Sequence, residues 1–145
     1  MATVSDILTE KGTHVVSIGE DATALEAAFL MNEHKIGALC VVRDDVLVGM
    51  FTERDILQRV VAAQVNPAKL LIRDGMTSDI TVCDRNTTVE GARLLMMNQR
   101  VRHLPVVDEG RKLSGMVSIG DMNAYQLADK VKTVNALQEY IHGTM

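Results

Sequence analysis

This sequence predicts a mixed α/β (α+β) protein made of two tandem β-α-β-β-α repeats related by pseudo-twofold symmetry, with one further helix at the C-terminus. Three observations predict it. First, Val15–Val42 lies over Ile80–Val107 without a gap at a constant offset of 65 residues, with identities at Thr23/Thr88, Ala27/Ala92, Leu30/Leu95, Met31/Met96, Leu39/Leu104, Val41/Val106 and Val42/Val107. Second, one residue is then inserted and the offset becomes 66, matching Leu47/Leu113, Gly49/Gly115, Met50/Met116 and Asp55/Asp121. Third, short apolar runs alternate with segments of helical spacing in both copies. A unit this small buries too little surface to stand alone. Two copies should therefore pack face to face across a pseudo-twofold interface with paired clefts. The repeats fall at residues 1–66 and 67–127, joined at Asn66-Pro67, and a helical extension covers 128–145.

Thr3–Glu10 reads as a short lead-in helix or turn with Asp6 near its start. Its counterpart is Ile72–Met76, through Val4/Ile72, Asp6/Asp74 and Leu8/Met76. Val15–Ile18 is β-branched and reads as a strand. Asp21–Thr23 offers N-cap chemistry for a helix over Ala22–His34, which carries Ala24, Ala27, Ala28 and Met31 at near-helical spacing. Gly37 should break that helix. Ala38–Val42 is a continuous apolar strand of the fully buried kind. Arg43–Asp45 makes a charged turn, Val46–Phe51 returns as a strand, and a helix runs from Thr52 to Ala63. After Asp121 the second copy continues through Tyr125. A last helix over Ala128–Ile141 then carries Val131, Val134, Leu137, Tyr140 and Ile141 as a stripe for core or dimer packing.

Bulk properties exclude several functions. Apolar residues make up 47% of the 145, enough for a core, but aromatics are 3% with no Trp, so aliphatic side chains and nine Met must fill it. A net charge of −4 argues against nucleic acid as a partner. Phe29, Phe51, Tyr125 and Tyr140 are too few for base stacking. No apolar run approaches the ~18 residues of a membrane span, and the N-terminus carries Asp, Glu and Lys where a signal peptide is apolar. Cys40 and Cys83 lie outside any Cys-x-x-Cys spacing and read as buried free thiols, which fits a reducing cytoplasm. His14, His34, His103 and His142 have no ligand spacing, so no metal is expected.

Chemistry concentrates at Thr52-Glu53-Arg54-Asp55 and Ser118-Ile119-Gly120-Asp121, each following a strand and opening a helix. A capping box accounts for either one alone. The same hydroxyl at a helix N-terminus can also face an anion. A carboxylate one turn on can accept both hydroxyls of a ribose diol. The flanking Gly49-Met50 and Gly115-Met116 are slim enough to bury an adenine face without stacking.

The chain resembles the cystathionine-β-synthase (CBS) domain, present twice as a Bateman module. The resemblance rests on the A-x-x-x-M helices (Ala27–Met31, Ala92–Met96), the hydrophobic–x–x–L–x–V–V strands (Ile36–Val42, Val101–Val107) and the G-h-x-[ST]-x-x-D endings (Gly49–Asp55, Gly115–Asp121). It spans Val4 to Leu127. The stretches IGALCVV, TERDILQRVV, VRHLPVV and GMVSIGD look like small stand-alone CBS-pair proteins. The resemblance implies clefts between the copies that bind AMP, ADP, ATP or NAD, with S-adenosylmethionine less expected. One site would use Met50, Thr52, Arg54 and Asp55 with Ile80, Thr81, Val101, Arg102 and His103. There Asp55 would hold the ribose, and Thr52, Arg102 and His103 the phosphate. The other would use Met116, Ser118, Gly120 and Asp121 with Lys11, His14, Val16, Ile36, Gly37 and Ala38, and Asp121 would hold the ribose. His103 fits a structural role at the copy–copy interface equally well. Arg54, Arg102 and His103 stand where the other copy has Gly120, Gly37 and Ala38, so the Asp55 site is expected to be the cationic and tighter one for nucleotides.

The function this implies is an adenosine-nucleotide-binding regulatory sensor, acting by ligand-dependent conformational change on a protein target and assembling as a homodimer. The alternative is a structural CBS module with unoccupied clefts. No Ser/His/Asp set, Cys/His set or P-loop supports an enzyme.

Overall fold

The computed structural model describes the backbone of residues 1–143 and the side chains of residues 1–141. The His142 side chain lies outside them. In chain order the elements are helix α1 (Val4–Lys11), strand β1 (Ser17–Gly19), helix α2 (Ala24–His34), strands β2 (Ala38–Arg43) and β3 (Val46–Thr52), helix α3 (Glu53–Asp55), helices α4 (Ile72–Gly75) and α5 (Val89–Gln99), strands β4 (His103–Val107) and β5 (Leu113–Ser118), and helix α6 (Ile119–Gly143).

The duplication survives in detail. In the first copy β1 pairs parallel with β2, and β2 pairs antiparallel with β3. In the second, β4 pairs antiparallel with β5, and register shifts fall at the equivalent places, Val41/Val42 and Val106/Val107. Thr23 and Thr88 both cap their helices through the side-chain oxygen, and both helices end on a left-handed residue, Lys35 and Arg100. The inserted residue is absorbed in the hairpin. Asp44 and Asp45, both at positive φ, form a two-residue turn in the first copy. A 3₁₀ turn at Glu109–Arg111 replaces it in the second.

Four expectations need correction. The first strand of the second copy shrinks to one parallel bridge, Cys83↔Val106. Pro105 sits where the first copy has Cys40 and has no N–H to extend that ladder. Gly37 does not break α2; Lys35 does, at φ 54°. The helix after Thr52 is α-helical only to Asp55 and widens into a π-helix over Ile56–Val61. The expected break before Ala128 is absent, because α6 runs unbroken from Ile119, and its stripe is exposed and forms no part of the core.

Packing reveals an exchange between the copies. Helix α1 belongs to the core of the second copy, where Val4, Ile7 and Leu8 join Cys83, Val89, Ala92, Met96, Leu104, Val106, Val117 and Met122. Helix α4 belongs to the first, where Ile72 joins Ala24, Ala27, Met31, Leu39, Val41, Phe51 and Val60. Matching backbone bonds fix both, Val4 N–H to the Thr87 carbonyl and Ile72 N–H to the Ala22 carbonyl, each at 2.8 Å. The strands leave room for these visitors at equivalent glycines. A Cβ on Gly49 would lie 2.7 Å from Met76 Sδ, and one on Gly115 2.9 Å from Leu8 Cδ1.

Candidate functional site

Strand β3 delivers Thr52 in an extended conformation, and the chain turns into α3 there. The Asp55 carboxylate reaches back, accepting at Oδ2 from Thr52 N–H (2.9 Å) and the Thr52 hydroxyl (3.2 Å). Its Oδ1 accepts from the Thr77 hydroxyl at 3.0 Å. Thr77 is itself clamped to β3, its N–H and carbonyl each 2.9 Å from the matching groups of Met50. Arg59 completes the enclosure, donating from Nη1 to the Met76 carbonyl at 2.6 Å with Nε 3.8 Å from Asp55 Oδ1. Asp55 is 4% exposed. A carboxylate so buried is tolerated because each oxygen is hydrogen-bonded.

The second seam has the same cap and a different closure. Asp121 Oδ2 accepts from Ser118 N–H at 2.8 Å, and the Ser118 hydroxyl accepts from Asp121 N–H at 3.0 Å. The other partner is Lys11, in the last turn of the exchanged helix α1. Its ammonium lies 2.6 Å from Asp121 Oδ2 and 2.8 Å from the Met116 carbonyl. The Asp121 side chain is 25% exposed. Burial pushes its pKa up, but the Lys11 ammonium and the Ser118 N–H outweigh that, so it sits below the usual carboxylate value. His103 lies across from Ser118 in the β4–β5 ladder. Burial, then the Lys11 and Arg102 charges, hold its pKa below the ordinary imidazole value, against the opposing pull of Asp121 and Glu53.

The structure therefore brings together Met50, Thr52 and Asp55 at one seam and Lys11, Met116, Ser118 and Asp121 at the other. His103 lies in the charge field of Asp121 and of Glu53 from the first copy. Among the described residues, no hydrogen bond or ion pair links Arg54, Ile80, Thr81, Val101 or Arg102 to Asp55, nor His14, Val16, Ile36, Gly37, Ala38 or Gly120 to Asp121. Arg54, Arg102, His14 and Gly120 are exposed; Ile80, Thr81, Val101, Val16 and Ile36 are half-buried. Ala38 is buried opposite Thr52. Gly37 accepts from Glu53 N–H at 3.0 Å and lies under the Glu53 carboxylate, whose carbon is 2.8 Å from where a Cβ would be. Met116 Sδ meets Cys40 Sγ at 3.7 Å, a contact between the copies.

Sequence reasoning missed Thr77 and Arg59 as partners of Asp55. Thr77 directly follows the Ile72–Met76 repeat and matches Thr9 in it, the one signal that pointed there. Nothing in the sequence marked Arg59. Cys40 and Cys83 are buried free thiols. Burial pushes both up to about 12, with Asp84 adding to the effect on Cys83. Among the described residues, no three His, Cys, Asp or Glu side chains gather as a metal site, and no helix is long and apolar enough to cross a membrane.

Two repeats that exchange a segment, each ending a strand in a hydroxyl–carboxylate cap closed by the exchanged chain, define a tandem module. The chain belongs to the CBS domain family, whose model matches residues 4–62 and 71–127. The CBS domain-containing protein YhcV of Bacillus subtilis is 35% identical over 130 residues, covering 90% of this chain and 89% of YhcV. Among solved structures, the CBS domain protein NE2398 superposes with a TM-score of 0.80 at 38% identity, over 86% of this chain and 97% of that one. CBSX2, solved in complex with AMP, matches at 29% identity and a TM-score of 0.74, over 90% and 99% of the two chains. Hypoxic Response Protein I, solved with two coordinated zinc ions, matches at 33% identity and a TM-score of 0.76, over 86% and 99%.

Proposed function

We propose that this protein is a regulatory sensor for adenosine nucleotides, with AMP, ADP, ATP or NAD as ligand in the clefts beside Asp55 and Asp121. The observation that carries it is the pair of seam carboxylates, each beside a hydroxyl at a helix N-terminus, in a chain whose relative CBSX2 was solved with AMP. The roles follow the chemistry. Each carboxylate accepts a ribose diol, Met50 and Met116 flank the base, and Thr52, Ser118, Lys11, Arg102 and His103 are the donors for phosphate. The protein binds and does not catalyse. Ligand acts by favouring one arrangement of the two copies, and the signal passes to a protein target. The assembly is a homodimer, and the two free thiols suit a reducing cytoplasm.

One observation favours a second reading for one seam. Asp55 is sealed by Thr77, so that cleft can be structural while the Asp121 cleft binds.

A thermal-shift titration with AMP, ATP, NAD and S-adenosylmethionine tests the proposal. A ligand at about 100 times its Kd adds roughly 2.7 kcal/mol to the folded state. We expect a rise in melting temperature with at least one nucleotide, lost in Asp121→Ala. No shift with any of the four up to millimolar concentration overturns the sensor reading and leaves the empty-cleft module.

A further inference from the structure

Lys11 holds the acceptors that a ligand at the Asp121 seam needs. Its ammonium lies 2.6 Å from Asp121 Oδ2 and 2.8 Å from the Met116 carbonyl. The same Oδ2 accepts from Ser118 N–H at 2.8 Å. A carboxylate oxygen has two lone pairs, so Oδ2 has no capacity left. A diol that grips both oxygens of Asp121 must therefore move Lys11 off Oδ2. The Asp55 seam sets no such condition. Its closing group is the neutral Thr77 hydroxyl, and Arg59 stays 3.8 Å from the carboxylate.

What the displacement costs depends on the ligand. The Lys11 side chain is 35% exposed, so the ammonium can swing into solvent without passing through packed atoms. A neutral adenosyl compound breaks the ion pair and offers the ammonium nothing in return. A sulfonium compound brings a second positive charge to the same place. A phosphate on the ribose takes the ammonium over, and a charge-assisted hydrogen bond replaces the ion pair. One side chain thus opposes one class of ligand and holds another, which is how a site discriminates between compounds that share a nucleoside.

We propose that Lys11 is the specificity-determining residue of the Asp121 seam, a latch that admits adenosine compounds bearing a 5′-phosphate and turns away uncharged and cationic ones. This deepens the proposed nucleotide site and rests on it. It also gives the seams unequal selectivity, because no ammonium sits on the Asp55 carboxylate.

Calorimetric titration of the full chain with adenosine and with AMP tests the latch. The quantity to read is the ratio of the two dissociation constants, adenosine over AMP, because opening the latch is common to both ligands and cancels. The wild type should prefer AMP by at least about tenfold. Lys11→Met keeps most of the side-chain length and removes the charge. It should bind adenosine about threefold more tightly, since the competing ion pair is gone. Its preference for AMP should fall by at least about tenfold. Lys11→Arg keeps the charge and should keep the preference. Equal affinity of the wild type for the two compounds, or a preference that Lys11→Met leaves within about twofold of wild type, overturns the latch and leaves the nucleotide site standing. A wild type that binds neither compound at millimolar concentration overturns both.

Discussion

The two seams carry the same cap and are closed by different chemistry. At Asp55 the closing group is a neutral hydroxyl from Thr77, on a segment clamped to β3 by backbone bonds. At Asp121 it is the Lys11 ammonium, at the end of a helix and beside solvent. The difference comes from the exchanged segments. Helix α1 is eight residues long and reaches the seam with a long charged side chain, whereas α4 is four residues long and continues as extended chain to Thr77. Duplication has kept the caps and changed the locks. The sequence pointed to the Asp55 seam as the cationic one, through Arg54, Arg102 and His103. The cation in hydrogen-bond contact with a seam carboxylate is Lys11, while Arg59 stays 3.8 Å from Asp55. A hydroxyl lock can offer a phosphate one hydrogen bond and no charge. An ammonium latch can move from carboxylate to phosphate.

The largest expected consequence is in stability. Asp55→Ala leaves the Thr52 N–H and the Thr77 hydroxyl without a partner in a dry setting and removes a capping interaction, a loss of about 2–3 kcal/mol. Asp121→Ala removes a cap at a wetter site, where water reaches Ser118 and Lys11 keeps the Met116 carbonyl, a loss of about 1 kcal/mol or less. Urea denaturation of both variants measures the gap. Equal losses would mean that the two seams are equally closed in solution.

A smaller contrast lies in the glycines under the exchanged segments. A Cβ at Gly49 would sit 2.8 Å from the Thr77 carbonyl oxygen, a backbone atom held in a ladder. At Gly115 its nearest neighbour is the buried Leu8 side chain, 2.9 Å away at Cδ1, which can shift without breaking a backbone ladder. Gly49→Ala should cost about 2 kcal/mol and Gly115→Ala about 1 kcal/mol. Melting temperatures that fall equally would remove the distinction between a backbone-clamped and a side-chain-packed segment.

The repeat, the caps and most strands were legible because they are local: periodicity, β-branched runs and [ST]-x-x-D spacing need no knowledge of the rest of the chain. The correspondence of Val4–Leu8 with Ile72–Met76 was legible too. That each segment joins the other copy's core was not, because both cores present the same kind of aliphatic surface. Gly37 was misread as a helix stop, since the sequence shows a residue without a side chain and not the Glu53 carboxylate that needs the space. The break before Ala128 had no support in the residues, as neither Gly nor Pro stands between Asp121 and Gly143. The π-helix after Asp55 left no mark in the sequence.

The smallest effect follows from the charges around His103, on which groups from both repeats act. Lys11, Arg102, Asp121 and Glu53 all act on it, and burial with the two cations prevails, so its folded pKa lies below the ordinary 6.5. The unfolded chain therefore takes up a proton before the folded one does. Stability from neutral His103 is fully present above pH 6.5 and is lost as pH falls from there through the depressed value. Asp121 acts in a separate, lower window. Its folded pKa lies below the ordinary 3.8, so its contribution fades only as pH falls beneath that. His103→Gln should flatten the upper window by no more than about 1 kcal/mol once solvent screening is allowed for, leaving the acid window untouched. In the proposed site, a phosphate beside His103 would reverse the sign there, because an anion favours the imidazolium. Nucleotide affinity should then rise as pH drops through the upper window, and His103→Gln should abolish that rise. Affinity independent of pH in the wild type would place the phosphate away from His103 and separate the two seams electrostatically.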